Sequence, residues 1–329
     1  MSFPEPPPAL ENVDLARIDG SDETLAITPA WFPLGRLAAS IRSVGVVTPL
    51  HLQPAPGGDL RIAMGFSRYR AARASGVRAV PALVRTRASD RKLFDCALAE
   101  KAAGPLHDLE RARALVKLRE QFGVEEESLI DRYLPLLNAP PSRYRLRFLL
   151  RLGRLDEVLQ RAVHRVLDPE TAFRLAAWTV AERELFLGLL TRYEPGRNRQ
   201  RELFDLLDDL RSAERRRGSA GLDRVWKSSG AGEADEDAGT VRPLRFRRIL
   251  DCLHRLRRPH LSRHQDRYRR LKGDLKIPPQ IRLQVPPYFE GDQLSFSFSC
   301  RNQAEFRHLV GRLEEMGNRR ELGRIFELL

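Results

Sequence analysis

A chain of 329 residues that is 42% hydrophobic and 31% charged has apolar material for a sizeable core and length for two or three domains. Its net charge of +13, from 57 Lys and Arg against 44 Asp and Glu, points to a polyanion partner, nucleic acid before an anionic membrane. Three scattered cysteines, Cys96, Cys252 and Cys300, exclude a disulfide framework and suit a reducing compartment, and no apolar run is long enough to span a membrane.

The N-terminal stretch MSFPEPPPAL lacks a basic region and an apolar core, so it reads as a proline-rich tail rather than a signal peptide, and the chain is expected to stay loose to about residue 22. Leu25 to Ile27 is a candidate first strand. Leu34, Leu37, Ala38 and Ile41 fall at helical spacing, with Gly45 as the stop. Val46–Gln53 reads as a strand whose Pro49 argues for an edge or a bend. PAPGGD at 54–59 is a turn, Leu60–Met64 a strand, and Val77–Val84 another. Alternating helices and short strands over the first hundred residues predict a small α/β domain.

The stretch LRIAMGFSRYRAARAS, residues 60–75, runs from a strand through Gly65 into a basic helix. The first N–H groups of such a helix lack partners and sit at its positive end, which suits an anion. Ser67 is the expected N-cap, and Arg68 and Arg70 supply planar forks for phosphate.

From Leu93 the pattern is helical. Helices are expected over Leu93–Ala102, Asp108–Gln121 with Asp108 as N-cap, and Glu125–Leu134, which Pro135 should end or kink. A turn, Asn138-Ala-Pro-Pro, leads to Ser142 and the segment SRYRLRFLLRLGR. There Arg143, Arg145, Arg147, Arg151 and Arg154 stand without an acidic residue, and Leu146, Leu149, Leu150 and Leu152 supply a core face. Helix, turn and capped basic helix together make a helix-turn-helix pattern, whose second helix offers its first residues to the major groove and arginines to phosphates. Further helices are expected over Leu155–Val166, Pro169–Trp178, Ala181–Tyr193 and Arg197–Arg217. A Gly-, Ser-, Ala- and acid-rich linker follows to Thr240. A C-terminal α+β unit closes the chain, with helices at Leu244–Leu256 and Ser262–Leu275, strands at Ile281–Val285 and Leu294–Cys300, and helices at Asn302–Met316 and Arg320–Leu329. Its helix–strand–strand–helix order suits either pairing with a second copy or a self-contained α+β lobe. Cys252, His254, His260 and His264 have ligand-like spacing, but interleaved arginines oppose a dication and Pro259 breaks a continuous helix.

In their order, the motifs L-x-x-S-I-x-x-x-G-V-V-T-P-L-H-L at 37–52, GFSRYRAA at 65–72, VPALV at 80–84 and ALAEKAAGPLHDLERARAL at 97–115, followed by the helix-turn-helix, make residues 24–191 resemble the N-terminal and central domains of the ParB family of partition proteins. The resemblance implies a ParB/sulfiredoxin-like α/β domain over 23–92 and an all-α helix-turn-helix domain over 93–212; composition and pattern add a disordered tail over 1–22, a linker over 213–241 and an α+β domain over 242–329, making a mainly helical α+β chain, and the position of that last domain in the family order implies dimerisation. The resemblance also implies a cytoplasmic, nucleoid-associated homodimer on double-stranded DNA, gated by CTP with Mg²⁺, with a ParA-type ATPase as partner and no membrane.

Carried over by position, Gly65 and Arg68 match the glycine and second arginine of the nucleotide box. Thr48 and Pro49 match the base and ribose wall, and Glu100 matches the metal-associated carboxylate. Phe66, Ser67 and Lys101 stand where the family has glutamate, arginine and asparagine; Arg70 and Lys101 are the replacement cations for a phosphate. Ser142, Arg143, Arg145, Arg147 and Arg151 are the expected DNA residues. Two alternatives follow from the same residues. One is a kinase or slow CTPase-type NTP hydrolase using Glu100. The other is a DNA-binding module that has lost its nucleotide. Sulfiredoxin chemistry is excluded because no cysteine lies between Gly65 and Ser75, and no compact carboxylate cluster of a two-metal nuclease is present.

Overall fold

The computed structural model describes residues 9–55, 58–85, 88–216, 222, 225–226, 242–289 and 291–329. It is a mainly helical α+β protein in two compact units, Met1–Trp178 and Thr179–Leu329. The expected proline-rich tail over 1–8, most of the expected linker after 216, and Glu290 of the turn Glu290-Gly-Asp lie outside the described residues.

In the first unit β1 (Ala9–Asp14), β2 (Ile18–Asp19), β3 (Leu50–Pro54), β4 (Leu60–Met64) and β5 (Ala79–Val84) form one mixed sheet in the order β1-β5-β3-β4-β2. The chain is therefore ordered earlier than its composition implied. β1 pairs antiparallel with β5 from Ala9↔Val84 to Asp14↔Ala79, and β2 pairs parallel with β4. Pro49 precedes β3 instead of lying within it, and β3 is the middle strand, antiparallel to β4 and parallel to β5. The missing N–H of proline thus falls outside the ladder. Leu50, Leu52, Ile62 and Ala63 are buried, and each buried leucine or isoleucine contributes roughly 1.5–3 kcal/mol.

Leu25, Ala26 and Ile27 are buried but form no strand. Side chains take the carbonyls that a neighbouring strand would have used: Arg113 Nε donates to Ala26 O at 3.1 Å and Arg70 Nη1 to Thr28 O at 3.2 Å. Apolarity here reports burial, not pairing.

Helix α1 (Gly35–Val44) ends at Gly45, where φ is 75°. Helix α2 (Phe66–Ala74) follows β4, and α3 (Asp90–Ala102) starts from the N-cap Ser89. Helix α4 (Asp108–Glu120) is capped one residue earlier than expected: His107 Nδ1 accepts from Leu109 N at 3.1 Å, and Glu110 reaches back to His107 N at 3.1 Å. Helices α5 (Glu126–Ser128) and α6 (Leu134–Leu136) are continuous through a π-helical turn at Leu129–Tyr133, and the helix stops at Leu136, one residue past Pro135, whose missing N–H cannot carry the ladder on. Helices α7 (Arg143–Gly153), α8 (Glu157–Arg165) and α9 (Pro169–Leu175) complete the unit. One core runs from Val13 to Phe173, and α4 packs along α7. The expected division at 92/93 thus falls inside one compact unit, because α3 and α4 bury Leu93, Phe94, Leu98 and Leu109 in the same core as the sheet.

The second unit holds α10 (Val180–Tyr193), α11 (Arg197–Arg216), α12 (Arg242–Arg257) and α13 (Pro259–Asp274). These precede the antiparallel pair β6 (Ile281–Gln284) and β7 (Ser295–Phe298), then α14 (Gln303–Gly317) and α15 (Arg320–Phe326). Pro259 separates α12 from α13, as its spacing required. Among the described residues no helix is long and apolar enough to cross a membrane.

Candidate nucleotide cavity and nucleic-acid helix

Gly65 is what lets a strand become a helix within one residue. Its φ of 102° is left-handed, and a Cβ there would lie 3.2 Å from Leu50 Cγ and 3.3 Å from the Arg68 guanidinium. Gly65, not Ser67, is the N-cap of α2, with no side chain bonded to the first turn. The N–H groups of Phe66, Ser67 and Arg68 therefore open the helix at its positive end.

This helix start forms one wall of a cavity of about 490 Å³. Thr48, Gly65, Ser67, Arg68, Glu100 and Lys101, six of the expected nucleotide residues, line it, with Leu25, Ile27, Met64 and Ala97 as apolar wall. Arg68 is held on three sides. Its Nη1 donates to Thr48 O at 3.1 Å and Pro49 O at 2.8 Å, and its Nη2 to Glu100 Oε1 at 2.6 Å. Pro49 thus enters through its carbonyl. Lys101 Nζ lies 3.0 Å from Oε1 of Glu110.

Glu110 is the residue the sequence reading missed. It is 4% exposed and accepts from Thr28 Oγ1 at 2.6 Å as well as from Lys101 and His107 N. Burial alone would raise its pKa, but the hydrogen bonds from Thr28 and His107 and the charge of Lys101 outweigh that and hold it below the usual glutamate value. The signal was present as H-D-L-E, a capping box with histidine in the place of serine.

Arg70 is not in the cavity wall. Its Nη2 donates to Glu23 Oε1 at 2.8 Å and its guanidinium lies 5.9 Å from the Phe66 ring centre. Phe66, which stands in the glutamate position, is buried and lines the cavity with an apolar ring in place of a carboxylate. Burial pushes the pKa of Lys117 down to about 8, helped by the neighbouring charge of Arg113; its Nζ donates to the carbonyls of Glu23 and Thr24.

Ser142 Oγ accepts from Arg145 N at 3.2 Å and caps α7. Leu146, Leu149, Leu150 and Leu152 face the core as expected. Arg143 and Arg147 are exposed, and neither has an acidic partner among the described residues. Arg151 is exposed with its guanidinium 4.2 Å over the Phe173 ring. Arg145 is different: half-buried, it is bonded to Asp108 of α4, lies 5.2 Å from the Phe148 ring centre, and leaves a buried Nε without a partner. Beside the free arginines stands Tyr144, 76% exposed, which the charge count passed over. Its position off the 146/149/150 stripe was the available signal.

The ParB N-terminal domain model matches residues 32–102. A probable chromosome-partitioning protein ParB of Mycobacterium leprae is 37% identical over 103 residues, covering 30% of this chain and 31% of the relative. One of Vibrio cholerae is 32% identical over 129 residues, covering 39% and 42%. A crystal structure of a C-terminally truncated Caulobacter crescentus ParB complexed with CTP-γ-S shares 24% identity over 54% of this chain and 96% of that one, with a TM-score of 0.27. The matches span between 31% and 53% of the curated relatives' own lengths.

Proposed function

Taking residues 32–102 as a ParB N-terminal domain, we propose that this protein is a ParB-like, duplex-DNA-binding partition protein of the bacterial cytoplasm and nucleoid, and that its cavity holds a ribonucleoside triphosphate. The observation that carries the reading is the cavity at the start of α2, where free helix N–H groups, Arg68 and Lys101 meet the carboxylate of Glu100. These groups suit a magnesium triphosphate. The N–H groups, Arg68 and Lys101 take phosphate oxygens, and Glu100 takes the metal, whose role is to neutralise phosphate charge. Thr48 lines the base and ribose side, with CTP the nucleotide the family implies. Arg143 and Arg147 contact DNA phosphates from α7, and Arg151 flanks them. The second unit supplies homodimerisation, and a ParA-type ATPase is the partner.

Equilibrium binding of the four labelled triphosphates with Mg²⁺, for wild type and Arg68→Ala, tests this. Selective CTP binding that falls at least about tenfold in Arg68→Ala supports it. Selective ATP binding, with turnover lost in Glu100→Gln, replaces it with a kinase or NTPase.

A second reading has one observation in its favour: both cavity cations are already paired, Arg68 with Glu100 and Lys101 with Glu110. In that reading the domain is a scaffold for a DNA-binding module. Retained duplex binding with no triphosphate bound selects it.

A further inference from the structure

The loop Asp22–Thr28 belongs to no strand or helix, yet Leu25, Ala26, Ile27 and Thr28 are buried. Leu25, Ile27 and Thr28 also line the cavity beside Gly65 and Arg68. Two of the loop's backbone bonds are internal: Thr24 N donates to Asp22 Oδ1 at 2.9 Å and Ala26 N to Glu23 O at 3.0 Å. Side chains make its ties to the rest of the unit, and they converge on Glu23. Arg70 of α2 donates through Nη2 to Oε1 at 2.8 Å, and Arg113 of α4 through Nη2 to Oε2 at 2.6 Å. The same two guanidiniums reach on to loop carbonyls, Arg70 Nη1 to Thr28 O at 3.2 Å and Arg113 Nε to Ala26 O at 3.1 Å. Lys117 Nζ donates to Thr24 O at 3.0 Å and to Glu23 O. Glu110, Arg113 and Lys117 fall at i, i+3 and i+7 on α4, one stripe of the helix turned to this loop.

Three cations around one carboxylate are a costly way to hold a loop. The side chains of Arg70 and Arg113 are 16% and 28% exposed, and their like charges oppose each other. Ion pairs taken out of water gain little over apolar side chains of similar volume. Leu25 and Ile27 already supply burial, and apolar contact has no direction. Hydrogen bonds to named carbonyls do have direction. The cations therefore set where the loop sits, not whether it is buried. Glu23, Arg70, Arg113 and Lys117 stand behind the cavity wall, not in it.

We propose that Glu23 is a positioning residue for the cavity: by bridging α2 and α4 it fixes the loop whose Leu25, Ile27 and Thr28 form part of the wall, an inference that rests on the nucleotide reading given above. Without this carboxylate Arg70 and Arg113 repel each other and turn toward water, and the carbonyls of Ala26 and Thr28 lose their donors. The wall then shifts although no group that touches the triphosphate has changed.

The experiment uses the full chain as wild type, Glu23→Gln, Arg113→Gln, the double variant and Arg113→Lys. Circular dichroism establishes that each is folded. One readout is hydrogen–deuterium exchange of peptides covering residues 19–32, with β3 as internal control. The other is equilibrium binding of the four labelled ribonucleoside triphosphates with Mg²⁺. Exchange across 22–28 should quicken in Glu23→Gln and Arg113→Gln while that of β3 stays unchanged. Triphosphate affinity should fall about tenfold in each, the scale expected for a group that orients others at a site. The double variant should fall no further than the worse single, because the two residues act as one unit. Arg113→Lys, which keeps one donor for Glu23, should recover part of the loss. Unchanged loop exchange in Glu23→Gln overturns the proposal, whether or not a triphosphate binds. So does quickened exchange with undiminished affinity, or a double variant whose loss is the product of the two singles. A wild type that binds no triphosphate, with loop exchange still governed by Glu23, overturns the nucleotide reading and leaves Glu23 as the residue that places the loop.

Discussion

The cations at the candidate nucleotide cavity and those of α7 are the same residue types in opposite settings. In the cavity wall Arg68 is fastened to two carbonyls and Glu100, and Lys101 to Glu110; Arg70, outside the wall, is held by Glu23. On α7, Arg143 and Arg147 stand exposed without carboxylate partners among the described residues, while their neighbour Arg145 is tied to Asp108. A paired cation fixes the position of something else, and an unpaired one on a rigid helix leaves a place for a polyanion. Charge count cannot separate these roles, because it weighs Arg145 and Arg147 equally.

The sharpest way to break the comparison is to remove the carboxylate that organises the cavity wall. Glu110→Ala strands Thr28, Lys101 and the His107 N–H together and should lower stability by about 2–3 kcal/mol, read as a shifted denaturant midpoint at unchanged m-value. A loss under about 0.5 kcal/mol would mean Glu110 holds nothing.

Gly65→Ala should cost about 1–2 kcal/mol, since alanine must adopt a φ of 102° and crowd Leu50 and Arg68. Its triphosphate affinity should fall with it, measured by the same binding titration as for Arg68→Ala.

Arg145→Ala and Arg147→Ala test the split on α7 directly. The first should lose about 1 kcal/mol of stability and leave the DNA salt slope nearly intact. The second should leave stability within about 0.5 kcal/mol and reduce the slope by about 1. Reversed behaviour would mean that Arg145 leaves Asp108 when DNA binds.

The pH dependence follows from Glu110. Its folded pKa lies below the ordinary value of 4.5, so its contribution is complete above that value and fades as pH falls through the folded one. Wild type should therefore lose stability below about pH 4.5 more steeply than Glu110→Gln, by parallel urea titrations. The smallest effect is expected at Tyr144. Tyr144→Ala should leave stability unchanged within about 0.5 kcal/mol and alter the base preference at one or two positions in a selection from random duplexes.

Much of this was written in the pattern of residues. The turn at Gly65, the Ser142 cap and the leucine stripe of α7 follow from local rules, and the structure places them as those rules require. What sequence could not reveal depended on distant partners. Leu25–Ile27 reads as a strand until one sees Arg113, from 87 residues further along, take the carbonyl of Ala26. Pro49 reads as an edge marker until the register puts it just outside a central strand. Arg70 reads as a phosphate fork until Glu23 claims it. In each case the competing group lay beyond the window in which periodicity operates.

The strand Ala9–Asp14 has a practical consequence for anyone cutting the molecule down. The motifs suggest starting a minimal domain near residue 23, and the family match begins only at 32. Such a truncation would strip six residues from β5 and bare the backbone of Ala79–Val84, an apolar strand carrying Val80 and Ala82. An uncovered edge of that kind templates strand addition from a neighbouring molecule. Minimal domains that begin after Asp14 should then aggregate or dimerise through that edge, and such an assembly would be an artefact of the cut. A fragment that keeps Ala9–Asp14 carries its own edge cover.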